Sequence, residues 1–442
     1  MKIPLTPPPL SRLFESKDSQ FMLGALSCRS TTYRGHYIHW DRLRYRLPPD
    51  GLTLEQCWFG MKLARSAQAR EVPLRDPAGH PFTYQLPDPA PELLHRIDHG
   101  GGGIFDLPNS ATNTEMRARY LVRSLTEEAI TSSQLEGAAT TRLIAKEMLR
   151  SGRAPRSKGE QMILNNFRAM QRIRDLHEEP LTSGRVLELQ TILTENTLDD
   201  PTAAGRFRRD DEEIRVVDER DGEVLHTPPP AGELADRLHA MCAFANGESP
   251  QAFVHPVIRA IILHFWLAYD HPFVDGNGRC ARALFYWSML RQRFWLMEFV
   301  SISEILLRAP GKYARAYLFT ETDENDLTYF ILYQLDVIRR ALQSLHTYID
   351  DKAREAREMA AQIKAAPDLN HRQRALLNHA LRHSGNIYSI HGHQMSHAIV
   401  YQTARTDLLD LHQRGFFVLE KAGKKMLYRP APDLADLLAG KA

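Results

Sequence analysis

The feature of this sequence that most constrains its fold is a pair of apolar segments joined by a short loop that contains two glycines. The first segment, Pro256 to Asp270, is apolar on most sides, which predicts a buried helix. The second runs from Arg279 to about Leu290 and predicts another apolar helix. Helical periodicity surrounds this pair, from Thr114 to about Lys364, so we expect a mainly α chain with a helical core.

The loop between the two segments is rich in functional side chains. From His271 to Arg282 it reads HPFVDGNGRCAR. Gly276 and Gly278 allow a sharp turn that exposes successive backbone N–H groups, and the helix that follows points its positive end at the same place. Both features suit phosphate oxygens. The loop matches neither of the common glycine-rich phosphate loops, because it lacks G-x-x-x-x-G-K-[ST] and follows a helix rather than a strand.

The side chains of the loop point to the same chemistry. Arg279 and Arg282 are three residues apart on the second helix, so they share a face and suit a polyphosphate. Asp275 is a hard oxygen ligand for Mg²⁺, and His271 can accept a proton near neutral pH. The loop therefore predicts a site that holds a nucleoside triphosphate and moves part of it. The alternative is a turn with surface arginines and no chemistry.

Composition divides the chain of 442 residues into three regions. Residues 1–103 mix strand and helix signals and end in four glycines, 100–103, which predict a linker. Residues 104–365 are expected to form the helical domain that carries the loop. In residues 366–442, three short helical segments precede two strands around a basic turn, which is the order of a winged helix-turn-helix.

Charge and cysteine content exclude several classes of protein. The net charge of +2 gives no global attraction to nucleic acid or membranes, and the four scattered cysteines favour a reducing compartment over a disulfide framework. The N-terminus lacks the apolar core of a signal peptide, and the longest apolar stretch is too short to span a bilayer. We therefore expect a cytoplasmic protein with no membrane partner.

The loop resembles the signature of the Fic domain of Fic/Doc proteins, H-x-F-x-[DE]-G-N-G-R-x-x-R. All its positions are filled, by His271, Phe273, Asp275, Gly276, Asn277, Gly278, Arg279 and Arg282. The similarity covers roughly residues 106–345. The resemblance implies a helical domain that is a protein adenylyltransferase, a nucleotidyltransferase that transfers AMP from ATP to a Ser, Thr or Tyr hydroxyl of a protein. It implies His271 as the base for that hydroxyl and Mg²⁺, held by Asp275, as the cofactor.

The resemblance also assigns the contacts with the nucleotide and the target. It implies an anion hole formed by Gly276, Asn277 and Gly278, with Arg279 and Arg282 on the β- and γ-phosphates. A hairpin with an Asp-Gly turn is predicted upstream of the loop. It lies where the family has a flap that aligns the target segment, and its strand residues include Ile214, Val216, Val224 and Leu225.

A second element resembles the family's inhibitory motif, [ST]-x-x-x-E-[GN]. It is the segment from Ser132 to Gly137, whose Glu136 is implied to pair with Arg282. A carboxylate on Arg282 would remove a phosphate ligand and place negative charge where a phosphate must lie. One position departs from many relatives, which have a Tyr-Tyr pair near the adenine: here Tyr313 is followed by Ala314. A different nucleotide donor therefore stays open.

Other functions also stay open at this stage. The same site suits removal of AMP from a modified target, and the chain could instead be a transcriptional regulator whose core senses nucleotide. Between residues 372 and 429, nine Lys and Arg residues stand against three Asp and Glu residues, an excess of +6 that suits DNA. Many winged helices contact protein only. The chain itself is a candidate substrate, and a homodimer is a candidate assembly.

Overall fold

The computed structural model describes residues 2–12, 19–101, 114–218, 220–365, 368–382, 385–422 and 425–438. Within these ranges the chain is mainly helical with short antiparallel strand pairs, as the sequence predicted. It forms two compact units, Met1–Leu345 and His346–Ala442. No described helix has the length and apolar character needed to cross a membrane.

The first hundred residues contribute short helices and one hairpin. The helices are α1 (Ser19–Ser27), α2 (Trp40–Leu43), α3 (Leu54–Gln68) and α4 (Ala90–Gly101). The strands β1 (Arg70–Arg75) and β2 (Pro81–Tyr84) pair antiparallel. Gly100 and Gly101 lie in the last turn of α4. The prediction of a linker is therefore wrong for these two residues, because the helix continues through them. Gly102 and Gly103 lie outside the described residues, so the domain boundary at residue 103 stays a prediction.

A buried ion-pair network joins α3 to a later part of the same unit. Lys62 Nζ lies 2.8 Å from Asp323 Oδ1. Arg65 donates to the Tyr329 hydroxyl at 2.8 Å, and that hydroxyl donates to Asp323 at 2.7 Å. Buried charges are tolerated when they are paired in this way.

Ten further helices follow among the described residues before the C-terminal unit's own elements. They are α5 (Thr114–Leu135), α6 (Arg142–Ser151), α7 (Lys158–Leu176), α8 (Ser183–Thr194), α9 (Leu234–Asn246), α10 (Pro256–Asp270), α11 (Asn277–Arg291), α12 (Ile302–Leu307), α13 (Pro310–Thr322) and α14 (Thr328–Ala365). Single 3₁₀ turns lie at Pro201–Ala203, Ala231–Glu233 and Trp295–Phe299.

The helices α10 and α11 form the centre of the first unit. Both are buried over almost their whole length, as their apolar sequence predicted. The proline at the first position of α10 suits a helix start, and the His255 ring accepts from the Val257 N–H at 3.3 Å. Helices α7 and α8 pack against α11, and α5 packs against α7 and α12. This packing places the loop between α10 and α11 beside the ends of α5 and α8.

The predicted hairpin consists of β3 (Val216–Val217) and β4 (Val224–His226). Gly222 has a φ of +72°, the left-handed conformation that glycine adopts without strain. No third strand pairs with this hairpin within the described ranges. Val217 and Val224 lie opposite each other in the ladder and are 46% and 37% exposed, so the face that they share is available for further contacts.

The second unit has the order of elements that the sequence predicted, with two short additions. It consists of α15 (His371–Arg382), β5 (Tyr388–Ser389), α16 (Ile390–His397), α17 (Tyr401–Gln413), β6 (Phe417–Ala422), β7 (Lys425–Pro430) and α18 (Leu434–Leu438). Its sheet has the order β5-β7-β6, so β5 adds a strand to the predicted hairpin. On α17, Gln402, Arg405 and Thr406 are exposed. DNA binding by this unit stays a prediction.

Candidate active site

His271 begins the loop at the point where α10 ends. Its backbone has a φ of +44°, and its N–H donates to the Leu267 carbonyl at 3.0 Å. The ring Nδ1 lies 3.2 Å from the carbonyl oxygen of Ala268. That oxygen can only accept, so Nδ1 carries the proton and Nε2 keeps its lone pair. Burial lowers the pKa of His271 to about 4, so the ring is a neutral base at pH 7.

Hydrogen bonds within the loop fix the start of α11. The Asn277 side chain accepts from the Phe273 N–H at 2.9 Å and donates to the Phe273 carbonyl at 2.8 Å. Gly276 has a φ of +90° and caps the helix. The first helical hydrogen bond runs from the Cys280 N–H to the Gly276 carbonyl at 2.8 Å. The N–H groups between them have no partner among the described residues, so the loop presents an unoccupied set of donors.

Arg279 is buried on the side of the loop that faces α8. Its Nη1 donates to the Leu193 carbonyl at 2.8 Å, and its Nη2 donates to Asp275 Oδ1 at 3.1 Å. The Asp275 carbonyl accepts from Gln190 Nε2 at 3.3 Å. Both terminal nitrogens of Arg279 are therefore already engaged. Its contact with a phosphate stays a prediction.

Arg282 lies on the other side of the loop and faces the end of α5. Its Nε donates to Ser132 Oγ at 2.8 Å, and its Nη2 donates to the Ser132 carbonyl at 2.9 Å and to Glu136 Oε1 at 2.8 Å. Burial alone would lower the pKa of Arg282, but the charge and hydrogen bond of Glu136, together with Tyr313 and Glu128, outweigh burial and the pKa is raised. The predicted pair of Glu136 and Arg282 is therefore present in the structure.

The Glu136 carboxylate also lies against the first turn of α11. A Cβ atom added to Gly278 would come within 2.2 Å of Glu136 Oε1 and 3.2 Å of Arg282 Nη1. The absence of a side chain at Gly278 thus allows a carboxylate to approach the N-terminal end of the helix. This is the position where backbone N–H groups and the helix dipole favour negative charge.

The position of Glu136 follows from how α5 ends and how it is anchored. Gly137 has a φ of +85°, which ends the helix directly after Glu136. Glu128 is buried and lies about two turns before the end of α5. Its carboxylate accepts hydrogen bonds from the hydroxyl groups of Tyr286 and Ser301 at 2.9 Å, and from both the N–H and the hydroxyl of Ser303. These bonds hold α5 to α11 and α12.

Tyr313 lies on α13, next to Arg282. Its hydroxyl is 2.7 Å from His264 Nε2 and 3.2 Å from the Tyr317 hydroxyl. Burial raises the pKa of Tyr313, and the charge of Arg282 opposes that rise. Burial lowers the pKa of His264 far below its usual value, so this ring is neutral. Tyr313 is therefore held beside the loop, whereas its predicted contact with adenine stays a prediction.

The hairpin reaches the loop through His226, at the end of β4. The ring Nε2 is 2.7 Å from the Tyr269 carbonyl, and Nδ1 is 2.6 Å from Glu321 Oε2. Burial lowers the pKa of His226, but Glu321 and the Tyr269 carbonyl outweigh it and the net shift is upward. The base of the hairpin is thus fixed two residues from His271. Of the predicted target-docking residues, Val224 and Leu225 lie between this fixed point and the tip, Val216 pairs with His226, and Ile214 precedes β3.

Several residues that shape the site were not predicted from the sequence. Arg208 donates from Nε to the His271 carbonyl at 2.9 Å and from its backbone N–H to the Pro272 carbonyl at 2.9 Å. Gln190, Glu128, His226 and His264 were missed as well. A buried histidine within an apolar helix was a usable signal for His264. The others depend on contacts between distant segments, for which a single sequence carries no local signal.

Comparisons with known proteins agree with this geometry. Residues 180–289 match the model of the Fic/DOC family. A protein adenylyltransferase Fic from Nematostella vectensis is 24% identical over 208 residues, which are 46% of this chain and 45% of the relative. One from Drosophila virilis is 36% identical over 92 residues, which are 21% of this chain and 17% of the relative. The chain thus spans less than half the length of these relatives.

A solved structure shows the same fold. The crystal structure of a Fic family protein from Desulfovibrio desulfuricans G20 has a TM-score of 0.51 at 18% identity, covering 77% of this chain and 95% of that chain. The matched segment 180–289 contains α8 to α10, the hairpin, the complete loop and most of α11. Residues 180–289 of this chain are a Fic/DOC family domain.

Proposed function

We propose that this protein is an adenylyltransferase that transfers AMP from ATP to a Ser, Thr or Tyr hydroxyl of a protein, and that Glu136 holds it inactive. The observation that carries the proposal is the position of the Glu136 carboxylate, on Arg282 and against Gly278, at the anion-binding end of α11. Relatives named protein adenylyltransferase support the type of reaction.

In this reaction His271 is the general base. Its neutral ring has the lone pair on Nε2, because Nδ1 donates to the Ala268 carbonyl. Nε2 accepts the proton of the target hydroxyl as that oxygen attacks the α-phosphorus of ATP. A bond forms between the hydroxyl oxygen and the α-phosphorus, and the bond from the α-phosphorus to the bridging oxygen breaks. Pyrophosphate leaves, and AMP stays on the target.

The loop holds the phosphates by backbone and side-chain donors. The free N–H groups at the start of α11 face the position where the anion binds, and the helix dipole adds to their effect. Arg282 supplies the charged donor on the α5 side once Glu136 has left. Asn277 acts through its backbone, since its side chain closes the loop onto Phe273.

The residues of the loop fit Mg²⁺ bound together with ATP. Asp275 is about 40% exposed, and its Oδ1 is engaged by Arg279 and by the Gly276 N–H. Its Oδ2 has no hydrogen-bond partner among the described residues, so this oxygen is available as a ligand. Mg²⁺ usually takes one or two carboxylates and completes its octahedron with phosphate oxygens and water. Bound there, the ion would neutralise phosphate charge and orient the leaving group.

The hairpin is the proposed dock for the target segment. Its two strands have no third partner within the described ranges, so an extended segment can add to an edge through main-chain hydrogen bonds. The contact of His226 with the Tyr269 carbonyl fixes the hairpin relative to His271. A docked hydroxyl would therefore be brought to the same place as the base.

The first test is the release of inhibition. Glu136→Gly removes the carboxylate from Arg282, so transfer of label from α-³²P-ATP to protein, including the chain itself, should rise at least about tenfold. The matched control is Glu248→Gly, which removes an exposed glutamate beyond α9. If both variants label protein like the wild type, Glu136 is not inhibitory.

The second test concerns the base. In the Glu136→Gly background, His271→Ala should lower transfer by roughly 10²- to 10⁴-fold, as general bases do. Nucleotide binding, followed by calorimetry, should persist in the same variant because the phosphate donors lie elsewhere in the loop. If transfer is retained, a group other than His271 accepts the proton of the target hydroxyl.

A second candidate function is the removal of AMP from a modified protein by the same residues. Glu136 Oε1 is engaged by Arg282, but Oε2 has no partner among the described residues and the side chain is about 30% exposed. This oxygen could orient a water molecule toward a bound AMP ester. Glu136→Gly protein that has labelled itself is a usable substrate: release of AMP on adding the wild type, but not His271→Ala, would favour removal over transfer.

A further inference from the structure

A cavity of about 600 Å³ lies in the first unit. One wall comes from residues 33–46 and the other from α13 and α14. None of its lining residues belongs to the segment His271 to Arg282. Its volume is in the range of 300–1,000 Å³ typical of sites for small ligands.

The cavity is lined by positive charge without a counter-charge. Its cationic side chains are Arg34, Arg42, Arg46, Lys312 and Arg315. No aspartate or glutamate lines it, and none of these five cations forms an ion pair with a carboxylate in the described part of the chain. Burial lowers the pKa of Arg42, and repulsion from Arg315 and Arg46 lowers it further, although the charge of Asp41 opposes this shift. Such crowding is unfavourable unless an anion joins the cluster.

Aromatic side chains line the rest of both walls, and neighbouring side chains hold several of them in place. His39 stacks on Phe319 with ring centroids 4.5 Å apart, and burial lowers the pKa of His39 to about 4. The Arg65 guanidinium lies 3.8 Å from the centroid of the Tyr37 ring, and the Tyr329 hydroxyl donates to Asp323 at 2.7 Å. The buried network behind the cavity thus fixes the rings that face it. Arg42 also lies over the Phe319 ring, 5.2 Å from its centroid, so a heteroaromatic ring would meet this wall through ring edges and apolar contacts.

We propose that this cavity is a second nucleotide site, which binds the phosphates of a nucleoside polyphosphate through its arginines and lysine and the base against its aromatic wall. A triphosphate carries about four negative charges near pH 7, which five cations without counter-ions can neutralise. The proposal concerns binding of the nucleotide and not a reaction. The inference does not rest on the proposed transfer.

The test is calorimetric titration of the full-length wild type with a nucleotide that cannot donate AMP, α,β-methylene-ATP. The variant Arg42→Gln/Arg315→Gln removes two of the clustered charges, one from each wall, and should weaken binding by at least about tenfold. The control Arg96→Gln/Arg308→Gln removes two exposed arginines elsewhere, 62% and 54% exposed, and should bind like the wild type.

Three further outcomes decide the assignment. Inorganic tripolyphosphate should bind more weakly than the nucleotide, and adenosine more weakly still; equal binding of tripolyphosphate would overturn the role of the aromatic wall. Tighter binding of a single-stranded oligonucleotide than of the mononucleotide would make this a nucleic-acid surface instead.

The double variant Arg42→Gln/Arg315→Gln in the Glu136→Gly background should keep its transfer activity. Loss of nucleotide binding with transfer intact supports a second site, and unchanged binding refutes it.

Discussion

The two sides of the Fic loop are held in different ways. On the α8 side, Arg279 donates to a backbone carbonyl, and Gln190 bridges the Asp275 carbonyl and the Gly205 N–H. On the α5 side, Arg282 depends on one serine and on Glu136, whose carboxylate is about 30% exposed. The α8 side is fixed by buried hydrogen bonds to backbone groups. The α5 side ends in the partly exposed carboxylate of Glu136, whose place on Arg282 water can take.

This difference separates two tasks that neighbouring residues carry out. The α8 side keeps the loop in shape whatever it binds. In the proposed function, the α5 side determines whether the phosphate position is free. The comparison predicts that changes on the α8 side reduce stability, and that changes on the α5 side alter activity.

The largest effect is expected for Gln190→Ala. Gln190 is fully buried and satisfies two backbone groups, so its loss should lower the free energy of unfolding by about 3 kcal/mol in urea titrations. Glu136→Ala should cost less than about 1 kcal/mol, because it removes a partly exposed ion pair. Thr191→Ala, on the exposed face of α8, is the control. Equal losses for Gln190→Ala and Glu136→Ala would remove the distinction between the two sides.

A change at Gly278 should affect the phosphate position directly. Its backbone tolerates a side chain, but the added methyl would lie 2.2 Å from the present position of Glu136 Oε1. In the Glu136→Gly background, Gly278→Ala should therefore lower transfer by at least about tenfold, since the methyl occupies the anion's place. The free energy of unfolding should stay within about 1 kcal/mol of the parent. Unimpaired transfer would mean that the phosphate does not approach this glycine.

A smaller change is expected on the α5 side for Ser132→Ala. The substitution removes the partner of Arg282 Nε but keeps Glu136, so basal transfer should rise about two- to tenfold, less than in Glu136→Gly. Ser133→Ala is the matched control, because its hydroxyl donates to the Met162 carbonyl at 3.2 Å instead. A gain in Ser133→Ala equal to that in Ser132→Ala would point to general loosening of the helix.

The smallest effect is expected from pH. The general base must be neutral, and burial lowers the pKa of His271 to about 4, so the ring stays deprotonated as the pH falls from 8 to 6. In Glu136→Gly, kcat/KM should change less than about twofold over that range and fall only as the pH approaches 4 to 5. A profile with a midpoint near 6.5 would show an ordinary, solvated imidazole.

The helices around the loop could be predicted because their signals are local. The apolar run and its proline placed α10 at Pro256–Asp270, which are the observed bounds. Helix α11 begins two residues before the predicted Arg279, since Asn277 and Gly278 already adopt helical geometry. The family signature supplied the remaining site residues of the loop.

The different environments of the two arginines could not be predicted. In the sequence, Arg279 and Arg282 are alike, three residues apart on one helix. Their partners come from distant segments: Leu193 lies 86 residues from Arg279, and Ser132 lies 150 residues from Arg282. The spacing predicted one shared face, but the two side chains turn to different sides of the loop, because spacing along a helix does not determine which element packs against each side chain.

Under the proposed inhibition by Glu136, the anchoring of α5 by Glu128 has a consequence for how the site responds to nucleotide. Because α5 is fixed to the domain, Glu136 acts as a tethered competitor, and its effective concentration at the loop is on the order of millimolar or more. The apparent affinity for ATP is then set partly by the bonds at Glu128, in a different part of the domain. A partner protein that displaces α5 at Glu128 would lower the effective concentration of Glu136 at the loop. It would thereby free the phosphate position without contacting the loop itself.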